Sequence, residues 1–399
     1  MFEKIIKKCT LTQVHYSFYN SITEIPTINW EEFDTENKLF FSLDYLNTIE
    51  KTMNKEIIFR YIVFFNEQST PIGFAVTQLI STNTKEFENQ NLPCYVSQGI
   101  KNTLLKNMDI NILVCGNIFS CGEHGFVFNK NQISANEAYK CLANALRDTK
   151  KIDSSEKPSF ILVKEFWPKS FKNSDSIKDE DFRELHIDVN MIVQIQPEWK
   201  TFEDYLFSMR TKYRTRAKKV LSNSEEITVK DFSVAAIENY EHKINELYFS
   251  VIDNAYFKLG KLNAHILKEL KIALQDKFVF KAYFLKEEMI GFTTCFVLDK
   301  SVESFHIGFD YTYKKSHNIY QRMLYDYMQL AIQNKVQELH LGRTAETIKS
   351  CIGAQPIEMK LYVRHRNTIS NTLLKPVADF ITPNTYETRN PFKKTTVTN

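Results

Sequence analysis

Glycine is scarce in this chain: there are 10 among 399 residues, beside 31 Phe and 19 Tyr. Each glycine therefore marks a backbone requirement rather than filler. Disorder and fibrous repeats are excluded by a balance of 43% hydrophobic and 25% charged residues, that of an ordinary globular protein. Charge of one sign is lacking as well. With 51 Lys and Arg against 48 Asp and Glu, the net charge is only +3, so any basic site has to be local rather than global. No apolar run reaches the roughly 18 to 20 residues of a spanning helix, and the opening MFEKIIKKCTLTQ has no following apolar region. A cytoplasmic location is the expectation. The 7 cysteines (Cys9, Cys94, Cys115, Cys121, Cys141, Cys295, Cys351) are odd in number and scattered, with no Cys-x-x-Cys pair, so reduced thiols are expected. Cys115, Cys121 and His124 lack the spacing of common zinc sites and a fourth ligand. No metal is expected.

What is present is length enough for two cores. IIFRYIVFF and IGFAVTQLI, rich in β-branched and aromatic residues and separated by the turn-like Asn66 to Pro71, predict a hairpin. NILVCG predicts a third strand, Ala135 to Asp148 a helix capped by Ser134, and PSFILVKEF another strand. Ser170 to Asp181 is polar and linker-like. The second half repeats the order: a strand in HIDVNMIVQI, a helix from Phe202 to Leu221, a strand in EEITVKDF, helices through Leu274, and the hairpin FVFKAYFLKEEMIGFTTCFVL. Phe59, Arg60 and Ile72-Gly73-Phe74 align with Phe280, Lys281 and Ile290-Gly291-Phe292 if the turns differ by three residues, which suggests a degenerate internal repeat. Two lobes are expected, 1–170 and 182–399. The tail beyond Asn367, with Pro376, Pro383 and Pro391, is expected to pack loosely.

The stretch SVESFHIGFDYTYKKSHNIYQR, Ser301 to Arg322, reads as a strand that ends in a polar loop and enters a helix from about Ser316 to Asn334. A helix N-terminus facing a gap in a sheet is an anion site, because unpaired N–H groups and the helix dipole point there. VQELHLG then predicts a strand, RTAETIKSCIGA a short helix ending at Gly353, and PIEMKLYVRHR a final strand. The helix Phe202 to Leu221 carries an apolar stripe (Phe202, Tyr205, Leu206, Met209, Tyr213, Val220). Around it stand Arg210, Lys212, Arg214, Arg216, Lys218 and Lys219 with no acidic residue between. Such a run is either a solvated face or a site for coenzyme A phosphates, a tRNA backbone or an anionic membrane surface.

This order of elements resembles the GNAT acyltransferase superfamily, and two such halves in one chain resemble its FemAB-like branch. The residues that carry the likeness are SMRTKYRTRAKK, the strand FHIGFD, and LGRTAETIKSCIGAQP. It covers most of Leu185 to Arg366. The resemblance implies an α+β fold of two GNAT-like lobes, each a mixed, mostly antiparallel sheet flanked by helices. It implies an N-acyltransferase with no permanently bound cofactor, acyl-CoA as co-substrate, and a small-molecule amine as acceptor: an amino acid, amino sugar or lipid amine. The FemAB branch also includes aminoacyl-tRNA-dependent peptidyltransferases, so aminoacyl-tRNA is the alternative donor. A non-catalytic module for an anionic partner is the alternative of another class. The chain departs from acyl-CoA-dependent members in one place: their loop Gln/Arg-x-x-Gly-x-Gly/Ala corresponds here to YTYKKSHNIYQ, which has no glycine.

Acyl transfer to an amine needs a base, a stabilised oxyanion and a protonated leaving group. Alternation along SVESFHIGFD places Ser304, His306 and Gly308 on one face and Glu303, Phe305 and Ile307 on the other. His306, with an ordinary pKa of about 6.5, suits a general base or else is a satisfied polar residue of a half-buried strand. Asp310 can fix the substrate ammonium or merely cap the loop. Tyr320 is the phenol placed to protonate a leaving group. Lys314, Lys315, Ser316 and Asn318 can contact an anionic donor by side chain. Arg343, Thr344 and Lys349, after the strand VQELHLG, are placed to hold a carboxylate or phosphate, or to form surface ion pairs. In the first half, CGNIFSCGEHGF occupies the corresponding position, with Asn117 and His124 as polar contacts or as parts of a tight loop.

Overall fold

The computed structural model describes residues 7–8, 13–33, 38–83, 109–149, 157–186, 189–254, 262–372 and 386–393. Cys9, Cys94, Pro376 and Pro383 lie outside them. The chain divides into two units. One is Met1–Ile187 with Tyr256–Leu262 and Glu358–Asn384, and the other is Asp188–Ala255 with Asn263–Ile357 and Thr385–Asn399.

In chain order, the first strands are β1 (Lys7–Lys8), β2 (His15–Tyr19), β3 (Ile57–Phe65), β4 (Pro71–Asn83), β5 (Asp109–Cys115), β6 (Phe126–Phe128), β7 (Phe160–Phe166) and β8 (Arg183–Leu185). They are followed by β9 (Val189–Gln194), β10 (Ile227–Asp231), β11 (Phe278–Leu285), β12 (Glu288–Val297), β13 (Ser301–Phe309), β14 (Glu338–His340), β15 (Gln355–Glu358) and β16 (Lys360–His365). The α-helices of the first half are α1 (Leu43–Met53), α2 (Ala135–Asp148) and α3 (Phe171–Ser174). Those of the second are α4 (Phe202–Ser208), α5 (Thr211–Asn223), α6 (Val234–Asn239), α7 (Glu241–Asp253), α8 (His265–Leu274), α9 (Tyr313–Ser316), α10 (Ile319–Gln333) and α11 (Glu346–Ser350). Helix α2 starts as expected, with Ser134 and Glu137 closing a capping box.

The fold is α+β, with two lobes, each a mixed sheet flanked by helices. One sheet runs β1-β2-β3-β4-β5-β7-β16-β8, with β6 against β4; the other runs β10-β11-β12-β13-β14-β9-β15. Each contains an antiparallel hairpin, a third antiparallel strand, and then a parallel neighbour reached through a helix: β5 with β7 in the first, β13 with β14 in the second. The repeat extends to register. Phe64 pairs with Gly73 and Phe65 with Pro71, while Tyr283 pairs with Gly291 and Phe284 with Met289. Both hairpins thus skip an isoleucine, Ile72 or Ile290, at one bulge beside a glycine. The turns differ by one residue rather than three, so Phe59 corresponds to Phe278, not Phe280.

Other expectations are corrected. PIEMKLYVRHR is not one strand: it breaks at Met359 into β15, beside β9, and β16, which pairs antiparallel with β7 and β8. Glu358–Asn384 accordingly belongs with the first unit rather than with a contiguous second lobe. Ser170 to Asp181 is not a linker; it holds α3 and a 3-10 helix, Asp175–Glu180, whose Ile177 is fully buried in the first core. The helix Phe202 to Leu221 is broken at Met209, whose extended backbone (φ −74°, ψ 148°) pairs with Phe392. Arg210 N–H donates to Pro391 O (2.8 Å) and Lys393 N–H to Ser208 O (3.0 Å), so residues 386–393 are packed rather than loose. The Phe392 ring lies 5.2 Å from that of Trp199 and against Gly353, where an added Cβ would meet it at 2.4 Å.

Gly308 packs closely on both a helix backbone and a neighbouring strand. A Cβ there would stand 2.7 Å from the Leu247 carbonyl carbon of α7 and 2.3 Å from the Phe292 ring. Backbone cannot retreat as a flexible side chain can. Gly308→Ala is expected to cost about 1–3 kcal/mol, read as a lower denaturant midpoint at unchanged m.

Candidate active site

The parallel ladder between β13 and β14 is short: Ser301, Val302 and Glu303 pair with Glu338, Leu339 and His340, after which β13 runs on to Phe309 without that neighbour. A fork results. Its cause is a β-bulge, because the register with β12 jumps from Cys295↔Ser304 to Thr293↔Ile307, so that Thr294 faces both Phe305 and His306. The Thr294 hydroxyl bridges the bulge, accepting from His306 N–H (3.0 Å) and donating to His306 O (2.8 Å). Strict alternation is thereby lost. Ile307 packs into the core under α10, whereas the Phe305 ring meets Phe296 (4.9 Å) and the His306 ring meets Tyr248 of α7 (5.5 Å). Ser304, paired with Cys295, does not share the face of His306 as expected.

His306 Nε2 is shielded from solvent and has no hydrogen-bond partner. Burial pushes the imidazole pKa down to about 4, so the ring is neutral at pH 7. Asp310 caps the loop: its Oδ1 accepts from Thr312 N–H (2.8 Å) and its carbonyl from Tyr313 N–H (3.2 Å). The loop amides are largely spent, since Lys314 N–H bonds Tyr311 O (3.1 Å) and His317 N–H bonds Tyr313 O (3.1 Å). Lys314, Lys315 and Ser316 are exposed on the single turn α9, with the Lys314 ammonium 5.0 Å from the centre of the Tyr311 ring. Asn318 opens α10 in a left-handed conformation (φ 52°) and makes no cap with its side chain, which bonds Gln321 and Asn223 instead. Tyr320 stacks on Phe309 (5.8 Å), and burial raises its phenol pKa, so it stays protonated.

Across the fork, Gly342 takes φ 73°, and a Cβ there would find only Ser304 Oγ, at 3.9 Å. Space is open at this point. Arg343 is half-buried and Thr344 is exposed. Lys349 is only 5% exposed, and its ammonium donates to Gly342 O (3.2 Å) and Arg343 O (2.5 Å), so it clamps the turn from within. On α5, Lys212 is exposed, Arg214 lies over the exposed Phe207 ring (5.7 Å), and Arg216 donates to Cys351 Sγ (3.6 Å).

The corresponding place in the first lobe is closed. β5 and β7 stay paired through Cys115↔Val163, and a Cβ on Gly116 would touch Lys164 Cβ at 2.8 Å. The buried Lys164 ammonium donates to Asn117 O (2.5 Å) and Ser120 O (3.1 Å) and pairs with Glu165 (3.3 Å). Asn117 Nδ2 donates to Tyr45 (2.5 Å), and His124 stacks on Phe40 (3.9 Å) at 1% exposure. These residues plug the first fork. Nothing in the spacing of CGNIFSCGEHGF signals it, because the plug comes from Lys164, some forty residues on. Thr294 was equally invisible, as one threonine in an apolar strand. Among the described residues no group of His, Cys, Asp and Glu could hold a metal, the five cysteines are free, and no helix is long and apolar enough to cross a membrane.

Two sheets that share a hairpin, a third antiparallel strand and a parallel neighbour, one fork closed and one open, define a two-lobed α+β protein. No family model matches the chain, and no curated protein matches its sequence. Among solved structures it is similar to FemX, at 10% identity and a TM-score of 0.51, over 85% of this chain and 96% of that one. It is also similar to L-PGS from Bacillus licheniformis (9% identity, TM-score 0.45, 84% and 96% covered). A third is a tandem GNAT protein from the clavulanic acid biosynthesis pathway (6%, 0.47, 81% and 87%). At these identities the likeness is one of fold.

The buried imidazole has a consequence for stability. A histidine whose folded pKa is about 4 takes up a proton more readily when unfolded, at about 6.5, so stability is full above pH 6.5 and declines as pH falls toward 4. Unfolding free energy is expected to drop by on the order of 3 kcal/mol over that window, and His306→Gln is expected to flatten the decline. Urea unfolding at pH 7 and pH 4.5 measures both.

Proposed function

We propose that the second lobe transfers an acyl group to a primary amine at the fork of β13 and β14, with acyl-CoA as donor and an amino acid, amino sugar or lipid amine as acceptor. The observation that carries this reading is the open fork itself, which exposes the free edge of β13 next to a neutral imidazole whose Nε2 has no hydrogen-bond partner. Backbone N–H groups along that edge suit the oxyanion of a tetrahedral intermediate. The acceptor attacks as the neutral amine, forming the C–N bond of the tetrahedral intermediate; His306 takes the proton its nitrogen then sheds, directly or through a water. The C–S bond breaks as the intermediate collapses, and Tyr320 gives a proton to the leaving sulfur. Asp310 and Arg343 flank the fork as groups for the acceptor. Lys314, Lys315, Ser316 and Asn318 face the donor phosphates. Thr344, beside Arg343, is exposed to do the same.

A second reading, in which aminoacyl-tRNA is the donor, is favoured by one observation. The loop amides that would cradle a pyrophosphate are bonded within the loop, whereas α5 offers Lys212 and Arg214 to a longer polyanion. A binding module without catalysis is the remaining outcome.

Incubation with acyl-CoA and a panel of amines is expected to release free thiol in proportion to amine. His306→Gln is expected to lower kcat/KM by about 10²- to 10⁴-fold, the size of a general-base contribution. Transfer that needs extract RNA and disappears on ribonuclease treatment would instead establish the tRNA donor. No transfer from either donor leaves the binding module.

A further inference from the structure

Strand β9 has the sequence Val189-Asn190-Met191-Ile192-Val193-Gln194. Val189, Met191 and Val193 enter the core shared with α10. Asn190 and Ile192 therefore point to the opposite face. Ile192 pairs with His340, and His340 with Glu303, which places all three in one row across the sheet. His306 turns its ring to that same face because of the bulge. Met191 N–H donates to Gly342 O (3.1 Å) and Leu341 N–H to Met191 O (2.8 Å). Asn190, the residue before Met191, thus lies beside the turn Gly342–Arg343 where the fork is open.

The side chain of Asn190 is anomalous. It is 1% exposed, yet neither Nδ2 nor Oδ1 has a hydrogen-bond partner in the protein. A buried carboxamide has two donors and an acceptor with two lone pairs, and leaving them unmade is expensive. The neighbour of Asn190 on the same face, Ile192, is apolar and buried, so the amide is costly as a packing residue. Its complement is a group with one donor and one acceptor side by side. A carboxylate offers only acceptors, and an alkyl amine or a hydroxyl offers a single atom; another amide matches both ends at once.

We propose that Asn190 binds the acceptor through an amide group next to the reactive amine, so that the acceptor is an amino-acid or peptide amine rather than a simple alkyl amine. This rests on the transfer reading above and narrows it. Asn190 bonds the amide while His306 faces the neighbouring nitrogen, and the substrate supplies the partners the strand lacks.

The test compares L-alaninamide with isopropylamine, which differ only in a carboxamide against a methyl. Calorimetry on the full chain without donor is expected to show alaninamide binding that weakens about 10- to 100-fold in Asn190→Leu, the loss of one or two buried hydrogen bonds. In turnover, the ratio of kcat/KM for alaninamide to that for isopropylamine is expected to fall by the same factor. The ligand-free Tm of Asn190→Leu is expected to equal or exceed that of the wild type, because an unpaired polar group is removed. Alaninamide binding that is unchanged in Asn190→Leu, or absent in the wild type, overturns the proposal. So does a fall in Tm with binding intact, which marks an internally hydrated structural amide. Binding that depends on Asn190 without transfer from any donor would overturn the transfer reading and leave the amide site standing.

Discussion

How long two parallel strands stay together decides what each lobe of this protein can do. A parallel pair joined by a helix has a shared exit where the strands end and the helix begins, and that exit is a cavity or a seam depending on where the ladder stops. In the second lobe it stops at Glu303↔His340, six residues before β13 ends. In the first lobe it holds through Cys115↔Val163 and is then sealed by Lys164. The two lobes share the succession of hairpin, third strand and parallel neighbour, and even the register of their hairpins, so the difference is local. A bulge stapled by Thr294 parts one pair, and an ammonium on carbonyl oxygens fastens the other. Buried charge is costly unless its hydrogen bonds are made; Lys164 makes them with Asn117, Ser120 and Glu165, which explains why that loop is built tightly around it.

The sequence made the architecture legible because the strands are dense in aromatic and β-branched residues and the helices are amphipathic. Hairpins, the corner at Asp310 and the repeat were visible for that reason. What escaped was anything that depends on a distant partner. The break at Met209 is imposed by Pro391 and Phe392, and the switch of sheet at Met359 is imposed by β7 and β8. Neither leaves a local trace, since Met209 sits in a good helical stripe and Met359 in a good strand.

At the site, the residue types were legible and their orientations were not. Alternation put His306 and Ser304 together, and one extra residue in β13 separated them while turning His306 with Phe305 toward α7. Lys349 looked like a phosphate ligand by its place after a strand and glycine, but its ammonium is used up on Gly342 and Arg343. Asn190 carries no signal in the sequence, because a single polar residue in a short strand is ordinary and only its unmade bonds set it apart.

When each unit can close during synthesis follows from β16 and the Phe392 strap. The first sheet needs residues 360–365 between β7 and β8, and the break between α4 and α5 needs residues 391–393. Each unit is therefore closed by a segment made some two hundred residues after the elements it joins. Neither unit can finish its core before that segment has been made. Non-local closure of this kind is slow and leaves unpaired strand edges waiting. During synthesis the edges of β7 and β8 are the parts of this molecule most in need of protection.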